Sequence, residues 1–300
     1  MTGDNQHRNS YLQFITAMLI FGTIGIFRKY ILLSSGMLAF TRGLLGCVFL
    51  LFFIIIKNGR KVQLPDKRNL ILLAVTGALI GLNWIFLFES YRYTTVTVAT
   101  MCYYMQPTIV ILLSPLVFKE KLTIKKLSCA IAAIVGMFFI SGMMEGSGIG
   151  AGDTIGILCG LCAAAFYASV IILNKKIHVD DAYQKTMIQL GAAALVLLPY
   201  LIATEDFAAL ALNFQSVIMV LIVGIVHTGI AYVMYFGSMK ALKSQSIAVL
   251  SYIDPVFALL LSALVLQEKL TVFAIIGAVL IIGSALVSEL SNGQKDRITE

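Results

Sequence analysis

The chain has 300 residues, of which 59% are hydrophobic and only 12% are charged, with a formal net charge of +7. Soluble domains carry about 25% charged residues, so these proportions exclude a protein that faces water on all sides. They indicate an all-α integral membrane protein, because the alternating pattern of a membrane β-barrel is absent. The basic residues lie mostly in links between apolar runs, which argues against a nucleic-acid partner.

Ten apolar runs follow one another along the chain. Each is predicted to be a transmembrane helix, since only a helix satisfies the backbone over about 20 apolar residues in lipid. The first run is expected to be retained as a span, because it lacks the small-residue cleavage site of a signal peptide. The runs cover residues 11–28, 36–56, 69–88, 94–117, 123–143, 152–174, 184–203, 215–236, 244–266 and 270–290.

The lysines and arginines are distributed unevenly over the links between these runs. If the N-terminus lies in the cytoplasm, most of the 22 basic residues fall in cytoplasmic segments and few in outer ones. Such a bias predicts that both termini are cytoplasmic. We therefore expect a multi-pass protein of the plasma membrane, surrounded by the lipid bilayer.

Charged side chains near the outer ends of the first three runs form one group of interest. Arg28 and Lys29 end the first run, where they are expected to anchor the helix at the membrane surface or to attract anions. Arg42 lies in the outer third of the second run, and Glu89 lies at the outer end of the third. We predict that Arg42 and Glu89 pair, either as a gate that seals the outer mouth in one state or as a permanent structural bridge.

Aromatic side chains in the middle of several runs are candidates for a binding site. Trp84, the only tryptophan, follows Asn83 in the third run and lies away from the interfaces where tryptophan normally collects. Aromatic walls suit an amphipathic or cationic ligand, and ordinary helix packing is the alternative. The candidate ligand-binding side chains of this kind are Asn83, Trp84, Tyr167, Tyr232 and Tyr252.

The fourth run combines a polar pair with a proline. Gln106 stands immediately before Pro107, and Tyr103 lies one turn earlier on the same helix face. Pro107 removes a backbone donor in mid-membrane, which frees a carbonyl for a ligand or lets the helix bend. We predict Pro107 as a hinge and Tyr103 and Gln106 as ligand-binding residues.

The eighth run contains His227, which is the only histidine within an apolar run. His227 can exchange a proton with an acid elsewhere in the membrane, or it can be a neutral histidine bonded to a nearby carbonyl. Three scattered histidines, and five cysteines that all lie in apolar runs, make no ligand cluster. Neither a metal site nor a cofactor is therefore expected.

The ninth run repeats the arrangement of the fourth with an acid in place of the amide. Asp254 stands immediately before Pro255, the second predicted hinge, and Ser251 lies one turn earlier. A carboxylate in hydrocarbon is costly unless it faces a cavity or a partner, so Asp254 and Ser251 are predicted to face a ligand, with Asp254 also able to bind a proton. A structural cap on backbone groups freed by Pro255 is the alternative.

A duplicated segment links the fourth and ninth runs. Residues 104–123 recur as residues 252–271 at a constant offset of 148, with eleven identities in twenty ungapped positions. Shared apolar composition explains the leucines but not a proline and an E-K-L-T run kept in register. We interpret the segment as an internal duplication.

The duplication predicts two halves of five spans each. A glycine-rich stretch at residues 142–152 falls at the halfway point and is the natural linker. We predict a first repeat over residues 1–146 and a second over residues 147–300. Because five is odd, the second repeat enters the membrane from the opposite side, which gives an inverted repeat.

These features resemble the drug/metabolite transporter superfamily, EamA type. The resemblance covers essentially the whole chain and rests on the ten spans, the two repeats and the E-K-L-T junction after the fourth helix of each repeat. It extends to Phe21-Gly22, to Arg42 and to the T-G-I-A-Y run at residues 228–232. It implies a secondary carrier, often an exporter of amino acids, metabolites or drugs, with a central cavity built mainly by helices 1, 3, 4, 6, 8 and 9.

The resemblance and the polar midplane residues together predict an exporter of small metabolites, amino acids or related amphipathic or cationic compounds, that works by alternating access. Asp254 and His227 are expected to couple transport to protons. An uncoupled facilitator or exchanger stays open, as does a carrier of sugar phosphates or nucleotide sugars. An enzyme is not expected, because the sequence has no zinc-hydrolase motif and no second deep carboxylate. A monomer and a homodimer are both compatible with the sequence.

Overall fold

The computed structural model describes residues 3–57, 64–118, 123–140, 151–205, 213–239, 241–242 and 244–296. Across these ranges the ordered elements are fourteen α-helices and one π-helical segment, Ile222–Ile230. The α-helices are α1 Gly3–Gly22, α2 Ile24–Tyr30, α3 Ser35–Lys57, α4 Lys67–Tyr93, α5 Val96–Tyr103, α6 Gln106–Phe118, α7 Ile124–Ile140, α8 Ala151–Asn174, α9 Ala182–Thr204, α10 Phe214–Leu221, α11 Ala231–Met239, α12 Ser244–Ser251, α13 Ile253–Val265 and α14 Val272–Asp296.

Each of the ten predicted runs coincides with helix in the structure, so the prediction of an all-α membrane fold is confirmed. Seven helical stretches are long and apolar enough to cross a membrane. The other three runs correspond to α7, to α12 with α13, and to α14. Within the described chain, the first, fourth, eighth and ninth spans each contain more than one helical segment. Residues 142–150 of the predicted linker, and with them the repeat boundary between residues 146 and 147, fall outside the described residues, whereas residues 151 and 152 belong to α8.

Polar caps begin several of the helices at the ends of the bundle. The Asp66 side chain accepts from the Asn69 backbone N–H at the start of α4, and Thr95 accepts from Val98 at the start of α5. The Asp181 side chain caps α9 in the same way. Free N–H groups at a helix start need such acceptors where lipid offers none.

The two repeats run in opposite directions. The first and third spans are parallel, since their ends meet where Lys29 Nζ donates to the Thr94 carbonyl at 3.0 Å. The third span, α4, is antiparallel to the sixth, α8, and polar contacts mark their whole length. These contacts join His178 N to Asn69 Oδ1 at 3.0 Å, Asn83 Nδ2 to the Ala163 carbonyl at 2.6 Å and Ser90 Oγ to the Gly156 carbonyl at 2.7 Å.

The helix pairs follow an approximate two-fold symmetry that exchanges span n with span n+5. The second span packs on the seventh (α3 on α9) and the fifth on the tenth (α7 on α14), so each of these pairs maps onto itself. The third span packs on the sixth (α4 on α8), and the related first span packs on the eighth (α1 on α11). This pairing is the arrangement expected of an inverted repeat.

Close packing between α4 and α9 depends on Gly77. A Cβ added at Gly77 would lie 2.4 Å from the Gln189 carbonyl oxygen and 2.7 Å from the Ala192 Cβ. The Gln189 side chain in turn donates to Thr76 Oγ1 at 2.8 Å, which ties the two helices together. Small residues at such crossings let helix backbones approach in lipid.

Gly77→Ala is expected to lower the free energy of unfolding by about 2 kcal/mol, because overpacking outweighs the gain in helix propensity. The measurement is reversible unfolding of the purified protein in detergent. Gly283→Ala is the matched control, since a Cβ at Gly283 meets nothing within 4 Å. Equal stability of the two variants would show that the α4–α9 contact is looser than the structure indicates.

Candidate functional site

The fourth and ninth spans are both broken in the middle, next to their prolines. The break between α5 and α6 falls at Tyr104 and Met105, just before Pro107. The break between α12 and α13 falls at Tyr252, three residues before Pro255. Proline early in a helix is tolerated, but it offers no N–H to the carbonyl four residues earlier. Such breaks at membrane depth are typical of the substrate sites of inverted-repeat carriers.

The two breaks are joined by one hydrogen bond between the repeats. Tyr104 Oη donates to Asp254 Oδ2 at 2.6 Å. The first span also reaches this point, because a Cβ at Gly22 would lie only 2.8 Å from the Asp254 carbonyl oxygen. Glycine at position 22, where α1 ends, therefore lets the first and ninth spans approach. Although Tyr104 and Asp254 lie inside the bundle, both keep part of their surface accessible, as residues that line a cavity do.

Arg42 lies inside the bundle, only 6% exposed, and does not contact Glu89. Its guanidinium carbon is 4.3 Å from the centroid of the Trp84 ring, and its Nε donates to Thr228 Oγ1 at 2.8 Å. Stacking on an aromatic face and a hydroxyl acceptor both reduce the cost of a cation in a span.

The prediction of an Arg42–Glu89 pair is therefore wrong for this structure. Glu89 instead forms a salt bridge at 2.9 Å with Arg92, one turn later on the same helix. Arg92 meets Glu89 without crossing between spans, whereas Arg42 is directed toward Trp84 and the eighth span. Arg42 and Glu89 do not touch in this structure, so no contact supports the predicted gate.

Two buried amide oxygens near this site have no hydrogen-bond partner among the described residues: Asn83 Oδ1 and Gln106 Oε1. The orientation of the Asn83 amide is fixed by its donation to the Ala163 carbonyl at 2.6 Å. Buried polar atoms are nearly always satisfied in proteins, so an unpaired acceptor calls for an explanation such as a ligand.

Several tyrosine rings pack against other aromatic rings in these spans. The Tyr103 ring lies 5.7 Å from the Tyr167 ring and 5.8 Å from the Tyr104 ring, measured between centroids. Tyr167 lies one turn after Ala163 on α8, so it shares a face with the residue that holds Asn83. In the second repeat, the Tyr232 ring packs edge-on against Phe21 of α1 at 5.6 Å.

His227 is buried within the π-helical segment and does not contact Asp254 in the described part of the chain. Its Nε2 lies 2.7 Å from Thr23 Oγ1, at the break between α1 and α2, and its Nδ1 lies 3.4 Å from the Ile222 carbonyl. The Thr23 hydroxyl also lies 2.7 Å from the Ile20 carbonyl, to which it donates. Both ring nitrogens face groups other than Asp254.

The remaining predicted residues lie at or beside the break of the ninth span. Ser251 Oγ donates to the Ile247 carbonyl of its own helix at 2.8 Å. Tyr252 is buried at the break of the ninth span, where its carbonyl accepts from Val256 N at 3.4 Å. Pro255 is buried within the first turn of α13. Across the described residues, no group of three or more histidine, cysteine or acidic side chains could hold a metal ion.

Contacts between the two repeats at one end of the bundle, which we call the clasp, are made by Glu268, Thr97 and Ser262 with the backbone of Val96. The Glu268 carboxylate accepts from the N–H of Val96 at 2.7 Å and from the N–H of Thr97 at 3.1 Å. Thr97 Oγ1 lies 2.7 Å from Ser262 Oγ and 3.2 Å from Glu268 Oε2. The second repeat thereby caps the first turn of α5 in the first repeat.

Sequence reasoning did not predict the contacts of three of these side chains, although two of them had a signal. Tyr104 and Glu268 both belong to the duplicated segment, as the first residue of its first copy and within the E-K-L-T run of its second copy. Thr228, the partner of Arg42, had no signal of its own beyond the T-G-I-A-Y run. The duplicated segment contains Tyr104 and Glu268, but it does not predict what their side chains contact.

Comparison with known proteins agrees with this geometry. The profile of the EamA-like transporter family matches residues 8–142 and again residues 154–289. Uncharacterized transporter YxxF of Bacillus subtilis is 30% identical over 295 residues, which cover 98% of this chain and 94% of that protein. Uncharacterized inner membrane transporter YicL of Salmonella typhimurium is 22% identical, over 97% of this chain and 98% of that protein. A crystal structure of a protein 20% identical shares the fold, with a TM-score of 0.65 over 93% of this chain and 97% of the other.

The fold and these matches define a multi-pass membrane protein of a transporter class. The chain belongs to the EamA-like transporter family, and the resemblance seen in the sequence is confirmed. Because the family profile matches once in each half, both repeats carry the family pattern.

Proposed function

We propose that the protein is a secondary transporter that exports small metabolites, amino acids or related zwitterionic or cationic compounds, by alternating access across the plasma membrane. Resemblance to a superfamily rich in exporters supports the direction. The name of one relative, an inner membrane transporter, supports the location. The distribution of lysine and arginine favours cytoplasmic termini.

The observation that carries the substrate class is the pair of charges in the bundle. Arg42 of the first repeat and Asp254 of the second carry opposite charges inside the bundle, yet within the described chain they form no ion pair. An amino acid carries a carboxylate and an ammonium group close together, so it can bridge two such charges, with the carboxylate toward Arg42 and the ammonium toward Asp254.

The unpaired acceptors support the ammonium end of this arrangement. An ammonium group offers three donors, and the described residues include the Asp254 carboxylate and two buried amide oxygens without a partner, Asn83 Oδ1 and Gln106 Oε1. The hydroxyl of Tyr104 already supplies one donor to Asp254. A cation without a carboxylate would use the same acceptors, which is why cationic metabolites remain within the proposed class.

Proton coupling is assigned to Asp254 alone. A carboxylate inside a membrane protein is costly in its charged form, so proton binding and substrate binding can compete for it. His227 is left out of the coupling, because its ring nitrogens face Thr23 and the Ile222 carbonyl. An uncoupled exchanger would use the same site without a proton.

Counterflow of radiolabelled amino acids into proteoliposomes tests the substrate class. We expect exchange of at least one zwitterionic amino acid well above empty liposomes. Its N-acetyl derivative, which lacks the ammonium, and its methyl ester, which lacks the carboxylate, should each compete at least about tenfold more weakly, as the loss of a charged hydrogen bond implies. If the methyl ester competed as well as the parent amino acid, Arg42 would not bind the substrate carboxylate. No exchange of any amino acid or polyamine would overturn the proposal.

A further inference from the structure

A second cleft lies at the clasp end of the bundle, apart from the central site. Its volume is about 510 Å³, within the range of about 300–1,000 Å³ typical of small-ligand sites. It lies where α2, the following loop and the end of α4 meet. Its lining consists of Arg28, Lys29, Ile31, Leu32, Leu33, Ser34, Tyr91 and Arg92.

The wall of this cleft contains a buried cation, Arg28, that forms no salt bridge among the described residues. Arg28 is 4% exposed, which contradicts its prediction as a side chain that reaches out to the membrane surface. Its Nη1 donates to the Ile31 carbonyl at 2.8 Å and its Nη2 to Ser35 Oγ at 3.1 Å. Its Nε has no partner, and no salt bridge to Arg28 occurs among the described residues. A buried charge held only by neutral groups is costly.

The acids around the cleft already have partners, and two of these partners, Arg92 and Ser34, belong to the lining. Glu89 is paired with Arg92, and Glu268 accepts the two N–H groups of the clasp. Glu205 accepts from the hydroxyl of Ser34. None of these carboxylates is part of the lining, whereas three cations are. The lining therefore has more cations than acids, and Arg28 and Lys29 are the two of them that form no salt bridge among the described residues.

We propose that this cleft binds an oxyanion, a phosphate or carboxylate group, through Arg28, Lys29 and Arg92. Arginine guanidinium groups match such anions geometrically, and a lysine adds a point charge. The cleft lies at the end of the spans, so the oxyanion can come from a free solute or from the headgroup of an anionic lipid. The two sources share one chemistry and differ in how they reach the site.

Binding of inorganic phosphate to the purified protein in a neutral detergent tests the free-solute source. Titration calorimetry at constant ionic strength, with chloride as the replaced anion, separates binding from screening. Lys29→Gln and Arg92→Gln should each weaken binding by about tenfold or more, since each loses a charged hydrogen bond. Lys176→Gln is the matched control, because it removes one exposed positive charge outside the cleft and should leave the affinity unchanged.

Nanodiscs test the lipid source. The protein is compared in phosphatidylcholine alone and in phosphatidylcholine mixed with phosphatidylglycerol, and the shift in Tm is measured for the same variants. A stabilisation by phosphatidylglycerol that Lys29→Gln and Arg92→Gln lose, with no phosphate binding in detergent, would assign the cleft to a lipid headgroup. Phosphate binding lost in both variants would assign it to a free oxyanion. The proposal would be overturned if both variants kept the phosphate binding or the stabilisation by lipid. It would also be overturned if neither phosphate binding nor stabilisation by phosphatidylglycerol were observed. These readouts need no transport, so they do not depend on the proposed substrate.

Discussion

Asp254→Asn is expected to abolish uptake driven by a pH gradient in proteoliposomes and to weaken substrate binding by about tenfold to a hundredfold. The first effect follows because asparagine cannot take up a proton, and the second because a charge-assisted hydrogen bond contributes about 1.5–3 kcal/mol. Asparagine has nearly the same volume as aspartate, so the contact with Tyr104 at 2.6 Å can be kept in modified form. Initial rates at several pH values, with and without a gradient, are the measurement.

Two further variants separate the roles of Asp254. Asp180→Asn makes the same chemical change at an exposed position between α8 and α9 and should leave transport unchanged. Tyr104→Phe removes only the donor to Asp254 and should weaken binding less than Asp254→Asn, while pH dependence persists. A pH dependence that survives in Asp254→Asn would show that Asp254 does not carry the proton and would favour an uncoupled exchanger or another coupling group.

The positions of the helices in this protein can be predicted from the sequence because they lie in lipid. No backbone group can go unpaired in hydrocarbon, so long apolar runs have one solution, and all ten predicted runs are helical in the described residues. The duplication adds the symmetry, because an odd number of spans per repeat forces inversion. Even the breaks beside Pro107 and Pro255 follow, as the prolines were predicted to disturb spans four and nine.

The sequence did not predict which side chains from different spans contact one another. The Arg42–Glu89 prediction used the level of each residue along its span, but pairing depends on rotation about the helix and on which spans are neighbours. Arg42 is bonded to Thr228 because the second span packs against the π-helical segment of the eighth. No periodicity within one span contains that information. The duplicated glutamate was visible as a repeat, yet its role as a cap on another repeat's helix required the tertiary structure.

Glu268→Gln is expected to open the clasp end of the bundle. The glutamate accepts two N–H groups of α5 and the hydroxyl of Thr97. A glutamine keeps one acceptor oxygen and turns an NH₂ group toward donors, so at least one charged hydrogen bond is lost and a repulsive contact is gained. With a loss of about 1.5–3 kcal/mol, the ratio of closed to open states falls about tenfold to a hundredfold.

The distance across this end can be followed with spin labels at Tyr93 and Lys269, two exposed positions on opposite sides of the clasp, after the native cysteines are replaced by serine. Glu268→Gln should add or enlarge a population at longer distance. Glu89→Gln is the matched control, because its partner Arg92 lies on the same helix and its loss separates no spans. If Glu89→Gln widens the distance and Glu268→Gln does not, the clasp is not the closure and Glu89 regains the gating role that the sequence predicted. If the charge on Glu268 holds the two repeats together, the effect of Glu268→Gln should also exceed that of Ser262→Ala. That variant removes a hydroxyl contact to Thr97 at 2.7 Å and a hydrogen bond to the Leu259 carbonyl, but no charge.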